Sequence, residues 1–239
     1  MGLSAQESWE LGEKLVAPTR YPTHYFGQWM EMDSTHLYVS DIQENLDEND
    51  SNFVVAAGAV YAYVRNDSGQ YELSQKLVSE HRQIIGLYGR SIASNGEYLF
   101  VGCDGDDTDA DGGDFKRAAG AVYVYKKNVD GESEFHQKLV ETDRDEYFNF
   151  GYKLVLNEEY AVIYTRRPIV NPIFPWRSIA QIYHLQPDGM WEQHEILYPQ
   201  MDYVNASFGL EMEMTANKLF ISSINDDGSF RRRTFKSLN

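Results

Sequence analysis

The sequence predicts an all-β protein made of repeated four-stranded antiparallel units. Three observations support this prediction: an aromatic-glycine dipeptide recurs at nearly constant intervals, short apolar runs fill each interval, and Gly, Asn and Asp separate those runs. The composition agrees with it, because 17 Tyr, 12 Phe and 4 Trp in 239 residues favour strands. No segment has a convincing helical period.

The repeat is marked by four dipeptides at steps of 62, 62 and 58 residues. They are Phe26-Gly27, Tyr88-Gly89, Phe150-Gly151 and Phe208-Gly209. The first two units align without a gap and share AAGAVY and QKLV, whereas the third and fourth units keep the frame more loosely. A period of this length indicates a repeat architecture. We therefore expect one domain, 1–239, with units at 20–78, 79–140, 141–199 and 200–239, the last completed by 1–17.

The second unit shows the predicted strands in order. They are GRSIAS, YLFVGC, GAVYVY and SEFHQKLV, and the turns NGE and NVDG close the first and last hairpins. Asn-Gly and Asp-Gly supply the positive φ angles that tight hairpins need. Four antiparallel strands in a unit of about 60 residues are typical of a β-propeller blade.

The two ends of the chain complement each other. WELGEKLV at 9–16 aligns with YELSQKLV at 71–78, so the chain opens with the outermost strand of a blade. The segments FGLEMEM, KLFISSI and FRRRTFKSL supply three strands, and the N-terminal strand would close the ring as a clasp. This predicts four blades. Two alternatives stay open: a fragment of a larger propeller, or two chains forming one eight-bladed ring.

The composition restricts the classes of binding partner and the class of protein that the sequence favours. The net charge of −16 disfavours nucleic acid and anionic membrane surfaces. A single cysteine, Cys103, excludes an internal disulfide. The start, MGLSAQESWEL, has no signal-peptide pattern, and no run of about 18 apolar residues predicts a membrane span. The sequence therefore predicts a soluble chain and leaves its compartment open.

The order FG, YLFVGCDGDD, GAVYVY and QKLV resembles FG-GAP repeats, which form the propeller of integrin α subunits. The resemblance covers nearly the whole chain, most strongly in the first two units. It implies a propeller used in adhesion or ligand recognition, and it favours an extracellular location. The calcium loop that integrin repeats carry before the second strand is replaced here by DSTHLYV, SNGEYLFV and LNEEYAVI, so that site does not transfer.

An acidic loop predicts a different calcium site. Asp107, Asp109 and Asp111 precede Gly112 in the D-x-D-x-D-G pattern, in which alternating carboxylates converge on one cation, and Asp114 lies nearby. The equivalent positions of the first unit are Asn45, Asp47, Asn49 and Asn52. The pattern thus predicts Ca²⁺-ordered loops in both units. The alternative is a solvated connection, because Asp and Asn also favour turns.

The third unit has a basic, aromatic loop at the corresponding place, RRPIVNPIFPWRS at 166–178. Arginine and aromatic residues are enriched at binding hot spots. We therefore expect a protein or glycan partner to bind this face through five residues: Arg166, Arg167, Phe174, Trp176 and Arg177.

No nucleophile-elbow, Walker-type or HExxH motif is present. The sequence therefore favours a non-catalytic recognition or scaffold module. Two alternatives remain: a carbohydrate-active hydrolase or lyase with a carboxylate pair in the central pocket, and a structural subunit of a larger assembly or homodimer.

Overall fold

The structure is a computed structural model that describes residues 12, 14–19, 22, 24–167, 178–199, 207–224 and 230–234. Within these residues, fifteen β-strands form four antiparallel sheets, and hydrogen-bonded neighbours in each sheet are consecutive in sequence. The prediction of an all-β fold made of antiparallel units is confirmed.

Three sheets have four strands each. Sheet 1 contains β1 (Met30–Met32), β2 (His36–Asp41), β3 (Ala59–Arg65) and β4 (Tyr71–Leu77). Sheet 2 contains β5 (Ser91–Ser94), β6 (Tyr98–Cys103), β7 (Ala121–Lys127) and β8 (Ser133–Leu139). Sheet 3 contains β9 (Phe150–Leu156), β10 (Tyr160–Arg166), β11 (Ser178–Leu185) and β12 (Trp191–Leu197). Sheet 4 has three described strands, β13 (Ser207–Met214), β14 (Leu219–Ile224) and β15 (Phe230–Thr234).

Consecutive sheets pack face to face, as blades do in a propeller. Strand β7 of sheet 2 contributes to two of these interfaces, because alternate residues of a strand point to opposite faces of the sheet. Tyr123 and Tyr125 pack against sheet 1, and Val122 and Val124 pack against sheet 3. A third apolar cluster lies between sheets 3 and 4. The first strands β1, β5, β9 and β13 are in contact in succession, so they form the inner side of the arrangement.

The two repeated motifs contact each other between neighbouring sheets. Gly58 of the first AAG forms a parallel bridge with Tyr88, and Gly120 of the second AAG forms one with Phe150. A Cβ atom on Gly58 would lie 2.2 Å from the carbonyl oxygen of Tyr88, and one on Gly120 would lie 2.3 Å from the backbone of Phe150. Only glycine permits this approach. The repeated dipeptides thus connect the loop of one sheet to the next sheet.

Half of the predicted clasp strand, 9–16, lies outside the described residues. Gly12, Lys14, Leu15 and Val16 are described, and none of them belongs to a described strand. The basic segment at 231–234 is part of β15 and pairs with β14.

Candidate functional site

The long loops between second and third strands lie beside the connections between sheets. The backbone N–H of Ile85 donates to the carbonyl of Val55 at 2.9 Å, and that of Tyr147 donates to the carbonyl of Arg117 at 2.7 Å. We call this end of the sheets the loop face; it comprises 42–58, 79–90, 104–120 and 140–149.

The acidic loop of the second unit uses its carboxylates to bind its own backbone. Asp107 Oδ1 accepts a hydrogen bond from the N–H of Ala118 at 2.6 Å. Asp109 Oδ1 accepts from the N–H groups of Asp111 and Gly113, at 3.0 and 2.8 Å. These are the side-chain bonds by which Asp stabilises turns.

The first unit repeats these bonds at equivalent positions. Asn45 Oδ1 accepts from the N–H of Ala56 at 2.8 Å, and Asp47 Oδ1 accepts from those of Asn49 and Ser51, at 3.0 and 2.9 Å. The structure thus gives these side chains a role in ordering the loops that needs no cation. Calcium binding by Asp107, Asp109, Asp111 and Asp114, or by Asn45, Asp47 and Asn49, stays a prediction.

An arginine holds each loop, and the sequence interpretation missed both; Arg144 is buried, and Arg82 is half-buried. Arg144 donates to the carbonyls of Asp114 and Asp107 at 2.8 and 2.9 Å. Arg82 donates to the carbonyls of Asn52 and Asn45 at 2.5 and 2.8 Å. The two arginines are 62 residues apart, so the repeat itself held the signal that could have identified them.

A buried ion pair lies beneath each loop. Lys138 Nζ is 3.1 Å from Asp106 Oδ2, which also accepts a hydrogen bond from the Tyr123 hydroxyl at 2.7 Å. Lys138 further donates to the hydroxyl of Thr108 at 2.6 Å. Burial and the neighbouring acid raise the pKa of Tyr123, so its hydroxyl keeps its proton and can donate. Lys76, Glu44 and Tyr61 form the equivalent group in the first unit.

The loop backbone adopts left-handed conformations at matching positions in both units. Four pairs of non-glycine residues have positive φ: Asn52 and Asp114, Ala56 and Ala118, Ile85 and Tyr147, Leu87 and Asn149. Such conformations are uncommon outside glycine and persist where surrounding contacts impose them. Both loops therefore adopt the same backbone conformation, and the surrounding contacts impose it.

Large apolar side chains project from this ordered backbone. Phe53 and Phe115 occupy equivalent positions and are 64% and 76% exposed. Ile84, Ile85 and Tyr147 are exposed beside them on the connections between sheets. Clusters of exposed apolar side chains are a common feature of interaction sites.

A second group lies near the inner strands, and we call it the Tyr152 cluster. The guanidinium of Arg90 lies 4.0 Å from the ring centre of Tyr152 and 5.5 Å from that of Trp29. The guanidinium of Arg166 lies 5.7 Å from the same Tyr152 ring. Arg90 Nε is 3.5 Å from Asp104 Oδ2. Burial raises the pKa of Asp104 to about 6, although Arg90 opposes the shift.

The predicted partner-binding residues fall into three groups. Arg166 is exposed and belongs to the Tyr152 cluster. Arg167 is buried, forms an ion pair with Glu141 and lies over the ring of Phe148, so it does not present its side chain on the surface. Phe174, Trp176 and Arg177 lie outside the described residues.

One described group of side chains has metal-ligand spacing: His24, Asp41 and Glu44. His24 Nδ1 already lies 2.7 Å from Asp41 Oδ2. Glu44 accepts hydrogen bonds from the backbone N–H groups of Asn45 and Leu46 and from the Tyr61 hydroxyl. These contacts hold the acids without a cation, and we assign no metal here.

The enzyme alternative requires a carboxylate pair. Two buried carboxyl groups have raised pKa values, Asp104 and Glu141, and burial is the main cause for both. Each lies beside its own arginine, Arg90 and Arg167 respectively. Each of these carboxyl groups therefore has a cationic partner of its own, and no described contact pairs the two acids with each other.

No protein-family model and no curated protein matches the chain. Among solved structures, the chain is similar to the periplasmic gluconolactonase PpgL of Pseudomonas aeruginosa, with 13% identity over 92% of this chain and 74% of that one, and a TM-score of 0.38. Values this low do not indicate a shared activity. The described residues include no helix long and apolar enough to cross a membrane.

Proposed function

We propose that the protein is a non-catalytic recognition module that binds a protein partner through its loop face. One observation carries the proposal: exposed Phe53 and Phe115 lie on loops whose backbone is held by Arg82, by Arg144 and by side-chain hydrogen bonds. Phe53 and Phe115 occupy equivalent positions in loops of neighbouring sheets, which supports binding of one partner to both side chains.

Physical considerations favour binding over a purely structural role for these side chains. Exposed Phe and Ile contribute no core packing, and leaving each in water costs about 1.5–3 kcal/mol relative to burial. Because the loops are already ordered, a partner that covers the side chains loses little backbone entropy on binding. Aromatic side chains on a rigid support are the usual anchors of protein interfaces.

We expect the double variant Phe53→Ser with Phe115→Ser to bind loop-face ligands at least about tenfold more weakly, because each lost aromatic contact removes at least about 1 kcal/mol. The ligands would be peptides selected from a random-sequence display library against the wild-type chain. Affinities for the two chains would be measured by interferometry on immobilised peptides.

The matched control is Val129→Ser, since Val129 is fully exposed in the β7–β8 turn at the opposite end of sheet 2. Its affinity should equal that of the wild-type chain. Thermal unfolding should be unchanged in both variants. Selected peptides that bind the double variant and the wild type equally would contradict the proposal.

We also propose that four blades close into a ring through the N-terminal clasp strand. The outer face of sheet 1 supports this: Tyr61 and Tyr63 are buried there, at positions equivalent to those that Tyr123 and Tyr125 hold against sheet 1. Leu15 packs on the same face. A chain segment at the N-terminus therefore covers a surface that a preceding blade would cover in a ring.

In the aligned repeat, Leu15 corresponds to Leu77 and Arg232 corresponds to Val60. Leu77 and Val60 are opposite each other in neighbouring strands, so we expect Leu15 to lie opposite Arg232. We expect Leu15→Cys with Arg232→Cys to form a disulfide within one chain of 27.5 kDa, read by non-reducing electrophoresis and light scattering. Cys103 is buried and should not interfere. A disulfide between two chains would support the two-chain ring instead. The absence of any disulfide would contradict closure. The single variant Leu15→Cys is the control.

A further inference from the structure

We propose that the Tyr152 cluster is a binding site for a hydroxycarboxylate, with Arg90 and Arg166 holding the carboxylate and Asp104 accepting a hydrogen bond from the neighbouring hydroxyl. This site is separate from the apolar loop-face residues and does not depend on their function.

The guanidinium groups of Arg90 and Arg166 keep N–H donors that their described contacts do not use. Among the described residues, the closest anionic contact of the Arg90 guanidinium is the 3.5 Å approach to Asp104, and Arg166 forms no described ion pair. Both lie over the ring of Tyr152, which fixes their position. In a chain with 37 acidic and 21 basic residues, these two arginines have one described carboxylate within 4 Å, that of Asp104.

Asp104 supplies the second, independent observation. It is 5% exposed, and its Oδ1 atom accepts no hydrogen bond from any described residue. A buried acceptor without a donor is costly, so it indicates a missing partner. A ligand hydroxyl would provide the donor.

The three groups together define the ligand. A guanidinium binds a carboxylate with two parallel hydrogen bonds, and two guanidiniums over one ring favour a single anionic group. Asp104 Oδ2 lies 3.5 Å from Arg90 Nε, and the other oxygen of the same carboxyl group, Oδ1, is the one that requires a donor. A carboxylate with an adjacent hydroxyl satisfies both, and Trp29, 37% exposed, offers an aromatic face at the side. Free hydroxy acids and sugar acids share this chemistry.

The test follows the guanidinium resonances of ¹⁵N-arginine-labelled protein during titration with sodium lactate and sodium propionate, at constant ionic strength. Lactate should shift Arg90 and Arg166 saturably, and propionate, which lacks the hydroxyl, should bind about tenfold more weakly because it loses a charge-assisted hydrogen bond. Titration with galactonate, an open-chain sugar acid whose carboxylate is next to a hydroxyl, separates the two ligand sources: tighter binding than lactate indicates a sugar acid, and weaker binding a small hydroxy acid.

Arg166→Gln tests the site without disturbing the core, since Arg166 is exposed, and it should weaken lactate binding about tenfold. The matched control is Arg117→Gln, because Arg117 also lies 5.7 Å from a tyrosine ring, that of Tyr147, and is exposed. Asp104→Ala should abolish the preference for lactate over propionate. The proposal is overturned if wild-type protein shows no saturable shift, if propionate and lactate bind equally, or if Arg166→Gln behaves like Arg117→Gln.

Discussion

Replacing Asp106 by Asn should lower the free energy of unfolding by about 3–5 kcal/mol. Asp106 neutralises Lys138, whose side chain is only 3% exposed, and it also accepts the hydrogen bond of the Tyr123 hydroxyl. Removal of one charge leaves the other buried and without its counter-ion, which is far more costly than loss of a surface pair. Urea unfolding at pH 7, followed by tryptophan fluorescence, would measure the change.

The double variant Asp106→Asn with Lys138→Met should regain part of the lost stability, because the lone buried charge is then absent. Asp130→Asn provides the control, as Asp130 is exposed in the β7–β8 turn, and it should change the free energy by less than about 0.5 kcal/mol. A loss below about 1 kcal/mol for Asp106→Asn would mean that the ion pair is not a structural requirement.

Replacing Gly120 by Ala should destabilise the chain by about 4 kcal/mol or more. Gly120 has a φ of +86°, which costs an L-residue about 1–2 kcal/mol. The added Cβ would also lie 2.3 Å from backbone atoms of Phe150, and backbone cannot move aside as a side-chain end can. The bridge between sheets 2 and 3 would therefore have to open.

Gly96→Ala separates the two causes, because Gly96 has a similar φ of +95° but no atom within 4 Å of an added Cβ. This variant should lose only the conformational part, about 1–2 kcal/mol. Thermal and urea unfolding of both variants would measure the difference. Equal losses would show that the approach of Gly120 to Phe150 does not limit stability.

The fold was largely predictable because it is encoded locally. Apolar alternation and turns such as Asn95-Gly96 define the strands, and the interval of 62 residues defines the repeating unit. The contact between Gly120 and Phe150 was not predictable in the same way. Gly120 belongs to the repeated AAG motif and Phe150 to the repeated FG motif, but the contact between them depends on how one sheet packs on the next.

The site was less predictable for a related reason. The alternating oxygens of Asp107 and Asp109 suggested a cation, since sequence spacing alone cannot tell whether a side chain faces a metal or a neighbouring N–H. Arg144 reaches this loop from the following connection. Arg90, which precedes β5, and Arg166, the last residue of β10, both lie over the ring of Tyr152. Such groups arise from packing between units, which no local pattern contains.

The bridges from Gly58 to Tyr88 and from Gly120 to Phe150 each join residues 30 positions apart, always from one sheet forward to the next. During synthesis, each loop would leave the ribosome before the residue of the next sheet that pairs with its glycine, Tyr88 or Phe150. The first sheet could therefore collapse early but would acquire its final loop only after the second sheet begins. Because these contacts run forward from one sheet to the next, they favour folding that advances from the N-terminus as the chain emerges.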